Sequence, residues 1–272
     1  MNKFFYALMI VGLLFSCGKS NDNLPPVDEP EEKISVKVMT YNIYGARSGG
    51  IPDLEPIAEV IRRVNPDLVA LQEVDKFTNR NQKHGDIARK LGELTGMDYF
   101  FAKAMDYNGG EYGDAVLSKL PVLEKSAFNL EVEPALGGER RSVARIKVTK
   151  EDKVFYFVST HFDHLSDERN RIKQANDFVE LAKDFEWPVI VAGDLNATPE
   201  SKTIRILKDY FSMGCPNGNC TQYTFPTSNA SKTIDYILYA PLNAFTPSIY
   251  SVYTWANQES DHFPVVGIFE IN

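Results

Sequence analysis

The chain has 272 residues, 43% hydrophobic and 12% aromatic, enough for one large core or two small ones, which excludes a disordered tail protein. Lys and Arg number 29 against 37 for Asp and Glu, so the formal charge is −8 and no basic excess exists to hold a polyanion by bulk charge. Any phosphate chemistry must therefore draw on local positive charge, such as a bound metal, and proton transfer near neutral pH has only four histidines to use: His84, His161, His164 and His262.

At the N-terminus an apolar run over residues 4–15 follows a single lysine and ends at Ser16-Cys17-Gly18. It is too short to span a membrane comfortably and predicts a signal peptide over residues 1–16. Leu14-Phe15-Ser16-Cys17 resembles a bacterial lipobox, whose cysteine is lipidated and becomes the first mature residue. The expectation is an exported protein anchored to the cell envelope through Cys17; the competing reading is an ordinary cleaved signal with an incidental cysteine. Residues 17–33 then form a tether rich in Asn, Asp, Glu and Pro, with nothing to pack. The other two cysteines, Cys215 and Cys220, enclose a turn-rich Pro-Asn-Gly-Asn segment. Export permits a disulfide there, with free thiols as the alternative; no neighbouring histidine suggests zinc.

From residue 34 to 272 no linker and no repeat interrupts the pattern, which predicts one domain. Short β-branched or aromatic runs predict strands at 36–43, 68–73, 99–102, 115–118, 143–148, 154–160, 189–192, 234–239, 248–253 and 265–269. Helical spacing marks 54–64, 86–94, 201–207 and, most clearly, 167–185, where Ile172, Ala175, Val179 and Ala182 share a face with Phe178, Leu181 and Phe185. So many strands exceed one open sheet, and several connections are too short for parallel crossovers. The expected architecture is two packed, mostly antiparallel sheets with helices outside.

Polar residues recur where the apolar runs stop: Asn42, Glu73, His161, Asp194 with Asn196, Asp235, and Asp261 with His262. A single carboxylate at a strand end is usually a turn or cap residue, but seven such segments in one domain are hard to explain that way. Glu73, Asp261 and the amide oxygen of Asn42 are hard oxygen ligands suited to Mg²⁺ or Mn²⁺. Such a cation keeps coordination positions for water and for a substrate phosphate. Two histidines could move protons, Asp235 could fix the tautomer of one ring, and Asp194 with Asn196 could position an attacking water.

The ordered series Thr-Tyr-Asn42-Ile, Leu-Gln-Glu73-Val, Tyr112-Gly-Asp-Ala-Val-Leu-Ser, Thr-His161-Phe-Asp163, Gly-Asp194-Leu-Asn196, Ile-Asp235-Tyr-Ile and Ser-Asp261-His262 resembles the endonuclease/exonuclease/phosphatase superfamily, which is DNase I-like. The resemblance implies a four-layer α-β-β-α sandwich and metal-dependent hydrolysis of a phosphate ester. It implies Glu73 as the principal metal ligand, with Asn42 and Asp261 near the same ion. His262, oriented by Asp235, would be the general base. Asp194 and Asn196 would position water and phosphate, and His161 would bind a phosphoryl oxygen or protonate the leaving group. Tyr112 and Arg141 stand where the family often contacts phosphate, against a structural role. His84 reads as a surface residue, His164 and Asp163 as rim residues, and Glu168, Arg169 and Gln174 as structural.

The motif wording looks closest to a bacterial branch with sphingomyelinase-like and GPI-lipid-remodelling-like members, so a lipid head group, sugar phosphate or inositol phosphate is the favoured substrate of a monomeric enzyme. A secreted nuclease is the alternative, with nucleic acid a possible partner; a non-catalytic surface binding protein on the same scaffold is a third reading. A basic strip beside the site, spaced to follow a strand, would separate a nuclease from an enzyme with a closed pocket.

Overall fold

The computed structural model describes residues 33–47, 50 and 52–272. The signal peptide, Cys17 and all but the last residue of the tether lie outside the described residues, and among those that are described no helix is long and apolar enough to cross a membrane.

Among the described residues, twelve strands form two six-stranded sheets. The first contains β1 (Ser35–Asn42), β2 (Leu68–Lys76), β3 (Asp98–Tyr107), β4 (Gly110–Ser118), β11 (Phe245–Val252) and β12 (Val265–Ile271), in the order β11-β12-β1-β2-β4-β3. The second contains β5 (Val122–Leu130), β6 (Arg141–Lys150), β7 (Lys153–His161), β8 (Val189–Asp194), β9 (Ser212–Met213) and β10 (Asp235–Ala240), in the order β5-β6-β7-β8-β10-β9. Among the described strands only the central pairs β1–β2 and β7–β8 are parallel, and each is joined through a helix: α1 (Glu55–Val64) for the first, α3 (Arg169–Lys183) for the second. The mostly antiparallel four-layer sandwich implied by the sequence is the observed fold.

Three apolar clusters make the layers. Val38, Ala70, Val116, Phe157, Ile190 and Ile237 fill the space between the sheets. Ile57, Ile61 and Val64 of α1 and Leu91 of α2 (Ile87–Thr95) cover the outer face of the first sheet. Phe178 of α3 and Ile204 and Leu207 of α4 (Lys202–Lys208) cover that of the second. The helices start and stop where local chemistry requires: Asp86 accepts from Arg89 N at 3.0 Å to cap α2, Ser201 accepts from Ile204 N at 3.2 Å to cap α4, and Gly96 at φ +69° ends α2.

Two strands escape the sequence pattern. Strand β5 is an edge strand whose residues are mostly exposed, so Leu123-Glu-Lys-Ser126 carries no apolar alternation. Strand β9 has only two residues. Strand β3 runs five residues past its expected end because Asn108 (φ +48°) and Gly109 (φ +80°) turn it back into β4; Asn-Gly is a hairpin signal that the apolar runs alone do not reveal. Cys215 and Cys220 are joined by a disulfide, the first of the two open readings.

Parallel pairing puts the carboxyl ends of β1 and β2, and of β7 and β8, at one end of the sandwich. A glycine makes the second pairing possible: a Cβ at Gly193 would lie 2.0 Å from the main-chain oxygen of Thr160 on β7. Gly193→Ala is expected to lower the unfolding free energy by about 1–3 kcal/mol or more, since the clash is with backbone. A urea midpoint equal to that of the wild type would show that these strands are not locked together.

Candidate active site

The carboxyl ends of β1, β2, β7 and β8 and the loop before β12 converge on a cleft of about 470 Å³, lined by Glu73, Tyr112, Arg141, His161, Asp194, Asn196, Asp261 and His262. Glu73 sits where the β2–β4 register slips between Leu71 and Val74, at φ +59°. A bulge in a left-handed conformation turns the carboxylate out of the strand and is strain of the kind held at functional sites.

The Asn42 side chain joins the two sheets. Its amide nitrogen donates to Glu73 Oε1 at 3.1 Å and to Asp194 Oδ2 at 3.0 Å, while its oxygen accepts from Tyr44 N at 3.0 Å. The main-chain donor at Tyr44 fixes the orientation of the amide, so the nitrogen faces the carboxylates. The Asn42 carbonyl in turn accepts from Ser260 Oγ at 2.7 Å, and Ser260 Oγ receives His262 N at 3.3 Å, which ties the His262 loop to β1.

His262 and Asp235 form a buried pair, with Nδ1 3.0 and 3.2 Å from the two carboxylate oxygens. The other ring nitrogen, Nε2, lies 3.7 Å from Asp194 Oδ2, and the Phe225 ring packs on the imidazole at a centroid distance of 4.6 Å. Burial alone would lower the His262 pKa, but Asp235 and Asp194 outweigh it and push the imidazole up to about 10.

His161 is opposite in character. Burial, then Arg141, His262 and His164, hold it well below the usual imidazole value, so the ring is neutral. Arg141 Nη1 lies 3.1 Å from its Nδ1 and Asn196 Nδ2 lies 2.8 Å from its Nε2. A neutral imidazole accepts at one nitrogen only, so one of these two donors is free to turn to a substrate oxygen. Asn196, at φ +47°, also donates to the Phe162 carbonyl at 3.0 Å and by its own N–H to Asp194 Oδ1 at 2.9 Å. Buried Arg141 pairs with Glu139 at 2.7 Å and reaches His164 Nδ1 at 3.3 Å, which places His164 on the rim. Tyr112 is buried beside Arg141 and Glu73, its hydroxyl pKa raised first by burial, so it remains a donor.

The expected metal residues fit a hard divalent cation in part. Burial raises the Glu73 and Asp261 carboxyl groups, Glu73 further through Asp261, and Asp194 is raised by burial and by Asp235. Such a cluster is short of positive charge, and Glu73 and Asp261 are oxygen donors suited to Mg²⁺ or Mn²⁺. The Asn42 oxygen has one lone pair engaged by Tyr44 and one spare. Separately, one ligand atom each from Asp194, Asp235 and His262 lie within 4.8 Å of one another.

The remaining residues divide as their surroundings dictate. His84 Nε2 contacts the Pro52 carbonyl at 2.9 Å and is absent from the cleft lining. Glu168 accepts from Thr203 at 2.8 and 2.9 Å, and Gln174 accepts from Asp163 N at 2.7 Å, both structural. Glu139, Arg80, Arg171, Phe225 and Lys232 line the cleft without belonging to any of the seven motifs. Glu139, Phe225 and Lys232 lie outside the regular strands and helices, Arg80 in a 3-10 turn, and Arg171 on α3, whose apolar periodicity marks the helix but not the cleft-facing arginine.

The chain matches the Endonuclease/Exonuclease/phosphatase family over residues 39–262. It belongs to that family. Members of the family are typically phosphoester hydrolases. The chain is similar to the uncharacterized protein YbhP of Escherichia coli K12, 26% identical over 260 residues, covering 86% of this chain and 96% of that protein. In structure it is similar to an endonuclease/exonuclease/phosphatase of Beutenbergia cavernae, with TM-score 0.72 at 21% identity over 89% of this chain and 72% of that one. It is also similar to the mannosyl-6-phosphatase Bt3783 of Bacteroides thetaiotaomicron, with TM-score 0.66 at 22% identity over 86% and 99% of the two chains.

Asp235→Asn keeps the shape of the His262 pair and removes its charge, so the His262 titration, followed by NMR on the metal-free protein, should move down from about 10. Because the folded value lies above the ordinary ~6.5, the pair's stabilisation is complete below about pH 6.5 and lost as pH rises through 10. Wild type should therefore lose more stability than D235N between those limits in urea titrations. Parallel curves would refute the pairing.

Proposed function

We propose that the chain is a divalent-metal-dependent phosphoesterase that hydrolyses a phosphate ester by in-line attack of water, with a lipid head group, sugar phosphate or inositol phosphate as the favoured class. The observation that carries this reading is the convergence of Glu73, Asp194, Asn196, His161 and the Asp235–His262 pair on one cleft from strands and loops of two different sheets. Glu73 and Asp261, with the spare Asn42 lone pair, would hold Mg²⁺ or Mn²⁺. When bound, the cation supplies charge stabilisation for the non-bridging phosphoryl oxygens and lowers the proton affinity of the neighbouring imidazole.

Asp235 fixes the proton of His262 on Nδ1 and leaves Nε2 beside Asp194, where a water held by Asp194 and Asn196 would lose its proton to the ring. His161 stays neutral, and the donor it does not occupy, Arg141 or Asn196, would bind a phosphoryl oxygen, with Tyr112 donating alongside. These groups are aimed before the substrate arrives, which is what electrostatic stabilisation of phosphoryl transfer requires. The mannosyl-6-phosphatase likeness supports sugar phosphates within the favoured class.

Purified protein with Mg²⁺ or Mn²⁺ should hydrolyse bis-p-nitrophenyl phosphate. Glu73→Gln and His262→Ala should each reduce kcat by roughly 10²–10⁴, the range of a lost proton-transfer or charge-stabilising group. Full activity in excess EDTA would sink the metal assignment, and an unimpaired H262A would sink the base. Phosphate or head-group release from DNA, RNA, sphingomyelin, phosphatidylinositol, inositol phosphates and mannose 6-phosphate then ranks the substrates.

The Leu14-Phe15-Ser16-Cys17 sequence supports export and a lipid anchor, with the tether holding a monomeric domain at the envelope, and a Cys215–Cys220 disulfide suits an oxidising compartment. Cys17→Ala should move the protein from the membrane fraction to the soluble one and abolish labelling by radioactive palmitate. Membrane association that survives the change would remove the anchor.

A further inference from the structure

Beside His262, three arginines and one lysine are among the described residues that line the cleft: Arg80, Arg141, Arg171 and Lys232. Two are held by carboxylates and a third is buried against main-chain carbonyls. Asp75 grips Arg80 at Nε and Nη2, both at 2.7 Å. Arg141 is paired with Glu139 at 2.7 Å and turned toward His161. Arg171 spends Nη1 on the carbonyls of Asp163, at 3.0 Å, and Leu165. Among the described residues, the exposed Lys232 ammonium has no ion pair and no side-chain hydrogen bond.

The backbone of Lys232 is not free in the same way. Lys232 and Phe225 exchange main-chain hydrogen bonds at 2.9 and 3.1 Å, and Thr224 N donates to the Lys232 carbonyl at 2.7 Å. This hairpin is stitched to both parts of the catalytic pair. Thr224 Oγ1 accepts from Asp235 N at 3.3 Å, Thr227 N donates to the Asp261 carbonyl at 2.9 Å, and the Phe225 ring lies on His262. The root of Lys232 is therefore fixed on the hairpin that packs against the base, and its ammonium is a point charge that suits a carboxylate or a phosphate equally.

Building on the phosphoesterase reading, we infer that Lys232 is a specificity residue that receives a second anionic group of a small substrate, a carboxylate or phosphate lying a few ångströms from the phosphate that reacts. One exposed cation without an ion pair in the cleft lining fits a single extra anion. It does not fit a nucleic acid strand, which needs a row of cations or stacking platforms to follow its backbone. Also in the cleft lining, Tyr107 packs against Tyr112 at a centroid distance of 5.6 Å and against Arg80 at 4.5 Å.

The test is inhibition of bis-p-nitrophenyl phosphate hydrolysis by two molecules that differ only in the second group, glycerol 3-phosphate and 3-phosphoglycerate. With wild-type enzyme the carboxylate-bearing molecule should inhibit about ten times more tightly. The ratio of inhibition constants should fall toward one in Lys232→Met and survive in Lys232→Arg. A ratio near one in the wild type, or an undiminished ratio in K232M, overturns the inference. So does a ten-nucleotide oligothymidylate that inhibits far more tightly than thymidine 3′,5′-bisphosphate, since that marks an extended strand track. Absence of wild-type hydrolysis with Mg²⁺ and with Mn²⁺ would instead defeat the phosphoesterase reading, and this inference with it.

Discussion

The Asn42 amide is the contact on which the site depends. Each sheet alone carries half of the chemistry: Glu73 comes from the first, and His161, Asp194 and Asp235 from the second. Stacked sheets lie about 10 Å apart on interdigitating apolar side chains, whose attraction is non-directional and leaves small lateral shifts open. Two directional hydrogen bonds from one nitrogen, to Glu73 at 3.1 Å and Asp194 at 3.0 Å, remove that freedom where precision matters. The same residue fixes the third contributor, because its carbonyl accepts from Ser260 and so sets the position of the His262 loop.

The electrostatics follow from that convergence. Bringing Glu73, Asp194, Asp235 and Asp261 together below the surface is unfavourable, as the raised carboxyl pKa values of Glu73, Asp194 and Asp261 record. The site offsets part of this with the His262 cation and part with amide and main-chain donors. The two histidines end in opposite protonation states because burial, reinforced by the Arg141 guanidinium, keeps His161 neutral, whereas Asp235 and Asp194 outweigh burial at His262. Two groups of one chemical type thus acquire different roles from their neighbours alone. The overall charge of −8 says nothing about this arrangement.

Much of the fold was legible because the strands that build the sandwich are buried and therefore apolar, and because each ends in a polar residue at the same end of the molecule. Asn42, Glu73, His161, Asp194 and His262 stand out against such runs. What was not legible is where burial is weak. Strand β5 lies at an edge with its side chains in water, and the second half of β3 is set by the Asn108-Gly109 turn instead of by an apolar run. Within the site, Glu139, Phe225 and Lys232 sit in loops: Glu139 N donates to the Asp163 side chain, and Phe225 and Lys232 bond each other across a turn, contacts that no apolar periodicity encodes.

The interior between the sheets carries the same division further. Away from the cleft it is filled by Val38, Ala70, Phe157 and Ile190, but toward the cleft it turns polar. Thr40 donates to Gln72 at 3.1 Å, Gln72 donates to Ser159 at 3.0 Å, and Ser142 joins Asp114 at 2.5 Å, linking strands of both sheets. Such a network stabilises less than apolar packing of the same volume, and it leaves Asp114 Oδ1 buried without a partner among the described residues. Burial pushes the Asp114 carboxyl up to about 7, so near neutral pH it is divided between its protonated and ionised forms. What the network adds is direction: every bond in it is satisfied in one alignment of the two sheets, the alignment that also brings Asn42 to Asp194. The apolar half of the interface makes the sandwich stable, and the polar half makes it a site.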